Sequence, residues 1–254
     1  MSDEAVLARR LIGLLDLTNL ELSCGPTDIK ALCARAVGPH GPVAAVCVWP
    51  QHTGEVDRSL ADTPVRIATV MNFPSGDGDL EAVLSDMEEA LGDGADEIDL
   101  VFPYRDFLAG EEEAALEMVR EARGLLQGNQ RLKVILETGA LPDLAAVSRA
   151  SGLAIAAGAD FLKTSTGKIA VSATPEASRA MLEAIRASGR PVGFKAAGGI
   201  RTLADATLYL ALAETVMGPG WATPETFRIG ASSLHAALVA AIDGAGSAPA
   251  PQGY

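Results

Sequence analysis

The chain has 254 residues and little cysteine, histidine or lysine, and each shortage excludes something. Its three cysteines, Cys24, Cys33 and Cys47, are odd in number and form no C-x-x-C, which argues against a disulfide framework or a zinc ribbon. His40, His52 and His235 are scattered, with no H-E-x-x-H or similar spacing, so the sequence predicts neither a metal nor a cofactor. Basic residues number 20 against 33 acidic ones, a net charge of −13 with no Lys/Arg-rich run. That balance excludes a nucleic-acid partner, because neutralising phosphates needs a basic face. No apolar run approaches the roughly 18 residues a membrane helix requires. The start, Met1-Ser2-Asp3-Glu4, lacks the charged-then-apolar layout of a signal peptide. These readings predict an intracellular, cytoplasmic protein with no membrane partner.

What is present is a hydrophobic content of 48%, arranged in alternating short and long segments. The β-rich runs are Val43–Val48, Arg66–Val70, Glu97–Val101, Lys133–Glu137, Phe161–Thr164, Val192–Ala196, Glu214–Met217 and Thr226–Ile229, eight in all. Between them lie helical patterns. Asp79 precedes Leu80, Val83, Leu84, Met87 and Leu91 as an N-cap before an apolar stripe. Ala115, Met118, Val119, Ala122, Leu125 and Leu126 repeat that spacing. Thr174-Pro175 and Thr202-Leu203-Ala204-Asp205 each carry helix-start chemistry.

Strands alternating with helices imply right-handed crossovers and a parallel sheet. Eight strands in a chain of this length fit a closed (β/α)₈ barrel, which typically takes about 250 residues. An open doubly wound sheet is the alternative, weakened by the absence of G-x-G-x-x-G after a first strand. The predicted layout is one α/β domain over residues 1–254. It comprises an N-terminal helical cap (1–42), the barrel (43–243) and a flexible Gly/Ala/Pro-rich tail (244–254).

In such a barrel, chemistry sits at the C-terminal ends of the strands. The 20 basic residues divide into 15 arginines and only five lysines, and four of the five fall between Lys133 and Lys195. Lysine supplies an amine of adjustable pKa where arginine cannot. Lys163 and Lys195 each end an apolar strand. If both point inward, each ammonium disfavours its neighbour's charge, and burial acts the same way, so one amine becomes neutral and nucleophilic. The alternative is that they snorkel at the rim. Alternation places Asp99 on one face with Glu97, and an ionised carboxylate inside a barrel is costly unless paired or used. Gly198-Gly199-Ile200-Arg201-Thr202 and Gly230-Ala231-Ser232-Ser233 put glycines and hydroxyls just before helices, where free amides favour an anion. Thr166-Gly167 offers a third such turn. The alternative reading is that the glycines only make tight turns.

These stretches resemble the deoxyribose-phosphate aldolases, a class I aldolase family, over nearly the whole chain. The resemblance is carried by Leu15-Asp16-Leu17-Thr18, Val46-Cys47-Val48, Asn72-Phe73-Pro74-Ser75-Gly76, Gly94-Ala95-Asp96-Glu97-Ile98-Asp99 and Lys133 to Thr138. It continues through Gly158 to Lys168, Gly193 to Thr202, and Arg228 to Ser233. It implies a TIM barrel, a small phosphorylated sugar and aldehydes as substrates, and a homodimer. The implied reaction is reversible cleavage of 2-deoxy-D-ribose 5-phosphate to D-glyceraldehyde 3-phosphate and acetaldehyde, in deoxyribonucleotide catabolism. By the same resemblance Lys163 is the Schiff-base lysine, Lys195 the neighbouring cation, and Asp99 its partner in proton transfer. Asp16, Thr18 and Cys47 lie near the sugar or support the site. Thr166, Gly167, Lys168, Gly198, Gly199, Arg201, Gly230, Ser232 and Ser233 form or flank a phosphate pocket. Tyr254 matches a terminal tyrosine that reaches the site in one branch of the family. The rivals are another Schiff-base barrel aldolase, transaldolase-like, and a phosphosugar-binding barrel without turnover.

Overall fold

Eight parallel strands close a barrel in chain order in the computed structural model, which describes residues 2–244. The strands are β1 (Leu15–Asn19), β2 (Ala45–Val48), β3 (Arg66–Met71), β4 (Glu97–Val101), β5 (Arg131–Ile135), β6 (Phe161–Lys163), β7 (Gly193–Ala197) and β8 (Phe227–Ala231). Around them run α1 (Asp3–Ile12), α2 (Pro26–Ala36), α3 (Thr53–Leu60), α4 (Leu80–Gly92), α5 (Tyr104–Ala109), α6 (Glu112–Leu125), α7 (Leu144–Ala157), α8 (Pro175–Ser188), α9 (Leu203–Met217) and α10 (Leu234–Asp243). Pairing of β1 with β8 completes the ring, so the (β/α)₈ architecture is the one present. The predicted tail and Tyr254 lie outside the described residues, save Gly244, which caps α10 in a left-handed conformation.

The helix starts follow the capping chemistry. Asp79 accepts from the Ala82 N–H at the start of α4, and Thr174 accepts from Ala177 ahead of α8, whose first residue is Pro175. Thr202 and Asp205 exchange bonds in a capping box at α9.

Two strand assignments change. Glu214–Met217 is the last turn of α9, which continues unbroken to Gly218 because no breaker intervenes after the capping box. The eighth strand is instead β1, inside the segment expected to be a helical cap, so the cap is α1 alone and the barrel begins before residue 43. The buried charge of Asp16 interrupts the apolar run of Leu14, Leu15 and Leu17 and conceals a strand that alternates polar-in and apolar-out. β5 also starts two residues earlier than expected and ends at Ile135.

Side chains from the strands divide by face. Leu17, Val46, Ile98, Val134, Leu162, Phe194 and Ile229 join the main apolar cluster with the helices. Inside, only a small apolar group survives: Leu20, Ala45, Cys47, Ala68 and Val70. The remaining interior is charged, with Asp16, Glu97, Asp99, Lys133, Lys163, Lys195 and Arg228 all buried. Barrel interiors are ordinarily filled by branched aliphatics, so this one is built for something other than packing alone.

Register makes room for that charge. Phe161 stands opposite Gly193, and a methyl group on Gly193 would collide with the phenyl ring. The Arg228 guanidinium carbon lies 5.7 Å from the centroid of the same ring, close enough for a cation–π contact. Gly193→Ala should therefore destabilise the protein by about 1–3 kcal/mol through overpacking, read from urea unfolding. Unchanged stability would show that the ring has room to move aside.

Candidate active site

Strand register brings the sequence's chosen residues together. Lys163 and Lys195 are direct neighbours across β6 and β7, and Asp99 faces Lys133 across β4 and β5. The Asp99 carboxylate holds all three amines. Its Oδ2 accepts from Lys163 Nζ at 2.7 Å and from Lys195 Nζ at 2.7 Å, and its Oδ1 accepts from Lys133 Nζ at 2.8 Å. Lys195 Nζ also lies 2.6 Å from Asp16 Oδ2. Asp16 Oδ1 accepts from Arg228 Nη1 at 2.6 Å, and Arg228 Nη2 donates to Glu97 Oε1 at 2.9 Å. Lys133 Nζ closes the circuit at 2.6 Å from Glu97 Oε2. Contacts from β4 to β7 and from β4 to β8 cross the barrel, so these side chains point inward rather than snorkel.

Charge balance assigns the protonation states. The ion-paired network holds three carboxylates, Asp16, Glu97 and Asp99, against Lys133, Lys163, Lys195 and Arg228, while the fourth buried acid, Glu137, lies outside it with its carboxyl pushed up toward the neutral form by burial. Three cations neutralise three carboxylates, and a fourth would be a surplus buried charge, which is costly. The lysine whose charge is least supported is the one with fewest anions. Lys163 touches one carboxylate, whereas Lys195 touches two and Lys133 reaches three.

The individual environments agree. Burial pushes the Lys163 amine below its ordinary pKa, Asp99 only partly opposes this, and the Lys195 ammonium adds to the fall. Burial acts on Lys195 as well, but Asp16 and Asp99 outweigh it and hold that amine charged. In Asp99 burial favours the neutral acid, yet Lys133, Lys163 and Lys195 together hold its carboxyl well below the usual range. Asp16 is likewise kept ionised by Lys195, Arg228 and Lys133 against the effect of burial. Cys47, buried in the interior apolar group, has its thiol pushed up by burial and is no thiolate nucleophile.

Above this network opens a cavity of about 270 Å³, with Lys163 on its wall. It is lined by Thr166, Gly167, Lys168, Gly198, Gly199, Arg201, Gly230, Ser232 and Ser233, the residues the sequence marks for an anion pocket, together with Thr18, which it places near the sugar. Gly167, Gly198 and Gly199 have φ of +77°, +90° and +81°, conformations open to glycine and strained for other residues. A methyl group on Gly198 would collide with the Ser172 side chain, 2.5 Å away at its Cβ, and sit 3.3 Å from the Gly167 Cα, so the two turns pack closely on one another. The segments preceding α9 and α10, Gly198 to Arg201 and Gly230 to Ser233, line this space, a position that favours an anion, although the Arg201 and Thr202 N–H groups donate to Asp205 Oδ2. Lys168 Nζ donates to the Leu20 carbonyl at 3.1 Å and ties the turn after β6 to the loop after β1. Thr18 lines the cavity while its hydroxyl donates to the Asp16 carbonyl at 2.8 Å.

Glycine at 230 has a separate cause. A Cβ there would stand 2.9 Å from Lys195 Cε, so the lysine side chain lies over bare backbone on its way to Asp99. Sequence reasoning does not single out Glu97, Lys133 or Arg228 for the site. The signal was present in part: Glu97 precedes Asp99 by two on one strand face, and Lys133 and Arg228 stand in register with Asp99 and Lys195.

Comparison with known proteins agrees with this geometry. Residues 11–239 match the description DeoC/LacD family aldolase. The chain belongs to the DeoC/LacD aldolase family. One relative in it, the deoxyribose-phosphate aldolase of Agrobacterium fabrum strain C58, is 54% identical over 244 residues, covering 96% of this chain and 94% of that protein. Among solved structures, the tetrameric deoxyribose phosphate aldolase of Aeropyrum pernix is similar, with a TM-score of 0.74, 26% identity, and coverage of 94% of this chain and 92% of that one. A candidate deoxyribose-phosphate aldolase from Toxoplasma gondii ME49 is also similar, with a TM-score of 0.87, 26% identity, and coverage of 96% and 97%.

Removing one partner of a buried network leaves its anions uncompensated. Arg228→Met strips Asp16 and Glu97 of their shared guanidinium and should cost about 3–5 kcal/mol in urea unfolding. A loss below roughly 1 kcal/mol would mean that the remaining lysines suffice.

Proposed function

We propose that this member of the DeoC/LacD aldolase family is a deoxyribose-phosphate aldolase. It cleaves 2-deoxy-D-ribose 5-phosphate reversibly to D-glyceraldehyde 3-phosphate and acetaldehyde, in deoxyribonucleotide catabolism, with the Schiff base on Lys163. The observation that carries this reading is a buried amine whose pKa is lowered beside one held charged, the two sharing one oxygen of Asp99, at the wall of a cavity edged by glycine-rich turns that precede helices. The strong resemblance to the Agrobacterium fabrum enzyme supports the substrate.

The chemistry runs on groups this chain supplies. The Lys163 lone pair adds to the C1 aldehyde of the open-chain sugar, forming the N–C1 bond, and loss of water from the carbinolamine leaves an iminium. A base removes the C3 hydroxyl proton, the C3–O electrons become a carbonyl, and the C2–C3 bond breaks. Its electron pair flows through C2 to the iminium nitrogen, giving an enamine. Acetaldehyde retains C1 and C2, and D-glyceraldehyde 3-phosphate departs with C3 to C5. Protonation of the enamine at C2 and hydrolysis release acetaldehyde and restore the amine. Lys195 is the proton donor next to the reacting nitrogen, and Asp99 links the two amines through one oxygen, with water carrying protons to the substrate. A well-placed proton transfer of this kind contributes about 10² to 10⁴ in rate. Gly167, Gly198, Gly199, Arg201, Ser232, Ser233 and Lys168 hold the phosphate, and Thr18 sits near the sugar. The whole chain acts as one barrel domain, in the cytoplasm, as a homodimer, which sedimentation tests.

Acetaldehyde with borohydride should fix a two-carbon adduct on Lys163, mapped by peptide mass, and cleavage of deoxyribose 5-phosphate should far exceed that of fructose 6-phosphate. Absence of the adduct would remove Lys163 from its role, and a preference for fructose 6-phosphate would favour a transaldolase-like enzyme.

Lys195→Leu tests the charge balance. Without Lys195 the three carboxylates are neutralised only if Lys163 takes up a proton, so the nucleophile is lost while the fold persists. Because the wild-type Lys163 pKa is lowered, adduct formation rises with pH to a midpoint below the ordinary 10.5. In the variant the midpoint should move up and cleavage should fall by orders of magnitude. An unshifted midpoint with wild-type rates would exclude Lys195 from both roles.

A further inference from the structure

One buried acid takes no part in the interior network. Glu137 follows β5, is fully buried, and forms no ion pair among the described residues. Its backbone is left-handed, with φ of +50°, a conformation that is strained for any residue but glycine and that persists only where the surroundings demand it. A buried carboxylate without a cation is retained at a cost, so its contacts identify what it does.

Both oxygens of Glu137 are turned to Thr166. The Thr166 N–H lies 3.3 Å from Oε1 and 3.4 Å from Oε2, and the Thr166 hydroxyl makes a short bond to Oε2. Having spent its proton on Glu137, that hydroxyl has only lone pairs left, and it accepts from the Lys168 N–H at 3.0 Å. Glu137 thus orients two links of the turn that carries Gly167 to the cavity. The next residues hold the same loop elsewhere. Thr138 N–H donates to the Thr164 carbonyl at 2.9 Å, and Gly139 packs so closely on the Val171 carbonyl that a Cβ would collide with it. Lys163 stands at the root of this loop, and Thr166 lines the cavity.

We infer that Glu137 is a positioning residue that sets the anion-binding turn Thr166–Lys168 and thereby the enzyme's selectivity for a phosphorylated over an unphosphorylated sugar. It acts through Thr166 rather than on the substrate. The inference rests on the reading of Lys163 and the phosphate turn given above. It predicts which parameter moves: the turn binds the phosphate in ground state and transition state alike, so its loss falls on KM for phosphorylated substrate.

The experiment compares wild type, Glu137→Ala, Glu137→Gln, Thr166→Val and the Glu137→Ala/Thr166→Val double variant on 2-deoxyribose 5-phosphate and on 2-deoxyribose, with inorganic phosphate as a competitive probe. For Glu137→Ala, kcat/KM on the phosphorylated sugar should fall about tenfold or more beyond any loss on 2-deoxyribose, the scale of a lost hydrogen bond to a charged group. Its inhibition constant for inorganic phosphate should rise in step. Glu137→Gln keeps one acceptor for the Thr166 hydroxyl and should recover part of the loss. The double variant should be no worse than Thr166→Val, because both remove the same link. Equal losses on the two sugars, an unchanged phosphate inhibition constant, or additive effects in the double variant would overturn the inference. If Glu137→Ala does not fold, Glu137→Gln carries the same comparison. The acetaldehyde adduct on wild-type Lys163 separates the two failures. With the adduct present and the losses equal, only the role of Glu137 falls. With no adduct, the reading beneath it falls as well.

Discussion

A single carboxylate, that of Asp99, is the point on which the interior of this barrel depends. It receives three amines from three neighbouring strands and is itself removed from water. Such a group is stable only while its cations stay in place, and the cations stay charged only while the carboxylates outnumber or equal them. The balance of the buried set therefore decides which lysine holds its charge least firmly. The Lys163 pKa is lowered because it is buried while Asp16 serves Lys195 and Glu97 serves Lys133, leaving it with a shared oxygen alone.

The same set replaces the usual packing of a barrel core. Apolar burial is carried by the shell between strands and helices, while the interior apolar group is minor and includes the small side chains Ala45, Cys47 and Ala68. Small residues there, and bare backbone at Gly193 and Gly230, are what allow a phenyl ring and long cationic side chains to lie inside. Packing and chemistry draw on the same space, so a substitution that fills it alters both.

Much of this was legible in the chain. Helix starts at Asp79, Thr174 and Thr202 follow from side chains that cap their own backbone, a local effect that spacing reveals. Lys163, Lys195 and Asp99 could be singled out because a charge at the end of an apolar strand has few other reasons to be there. The partners were hidden because they are remote in sequence: Arg228 bonds to Asp16 and Glu97 from the last strand. β1 was read as part of a helical cap because its inward polar residues break the apolar pattern that marks a buried strand. The end of α9 was read as a strand because Val216 and Met217 suit either element and only the continuous helix before them decides. Glu137 carried a visible place at a strand end, but its left-handed backbone and its grip on Thr166 arise only in three dimensions.

The bond between Asp16 and Arg228 joins the first strand to the last. During synthesis the ribosome has released most of the chain before that guanidinium exists, and until then Asp16 and Glu97 face the interior without it. A shortened chain lacking β8 would leave those acids facing one another across an open seam. Assembly of the charged interior is thus tied to arrival of the final strand: the set of ion pairs that surrounds Lys163 is complete only once β8 is in place.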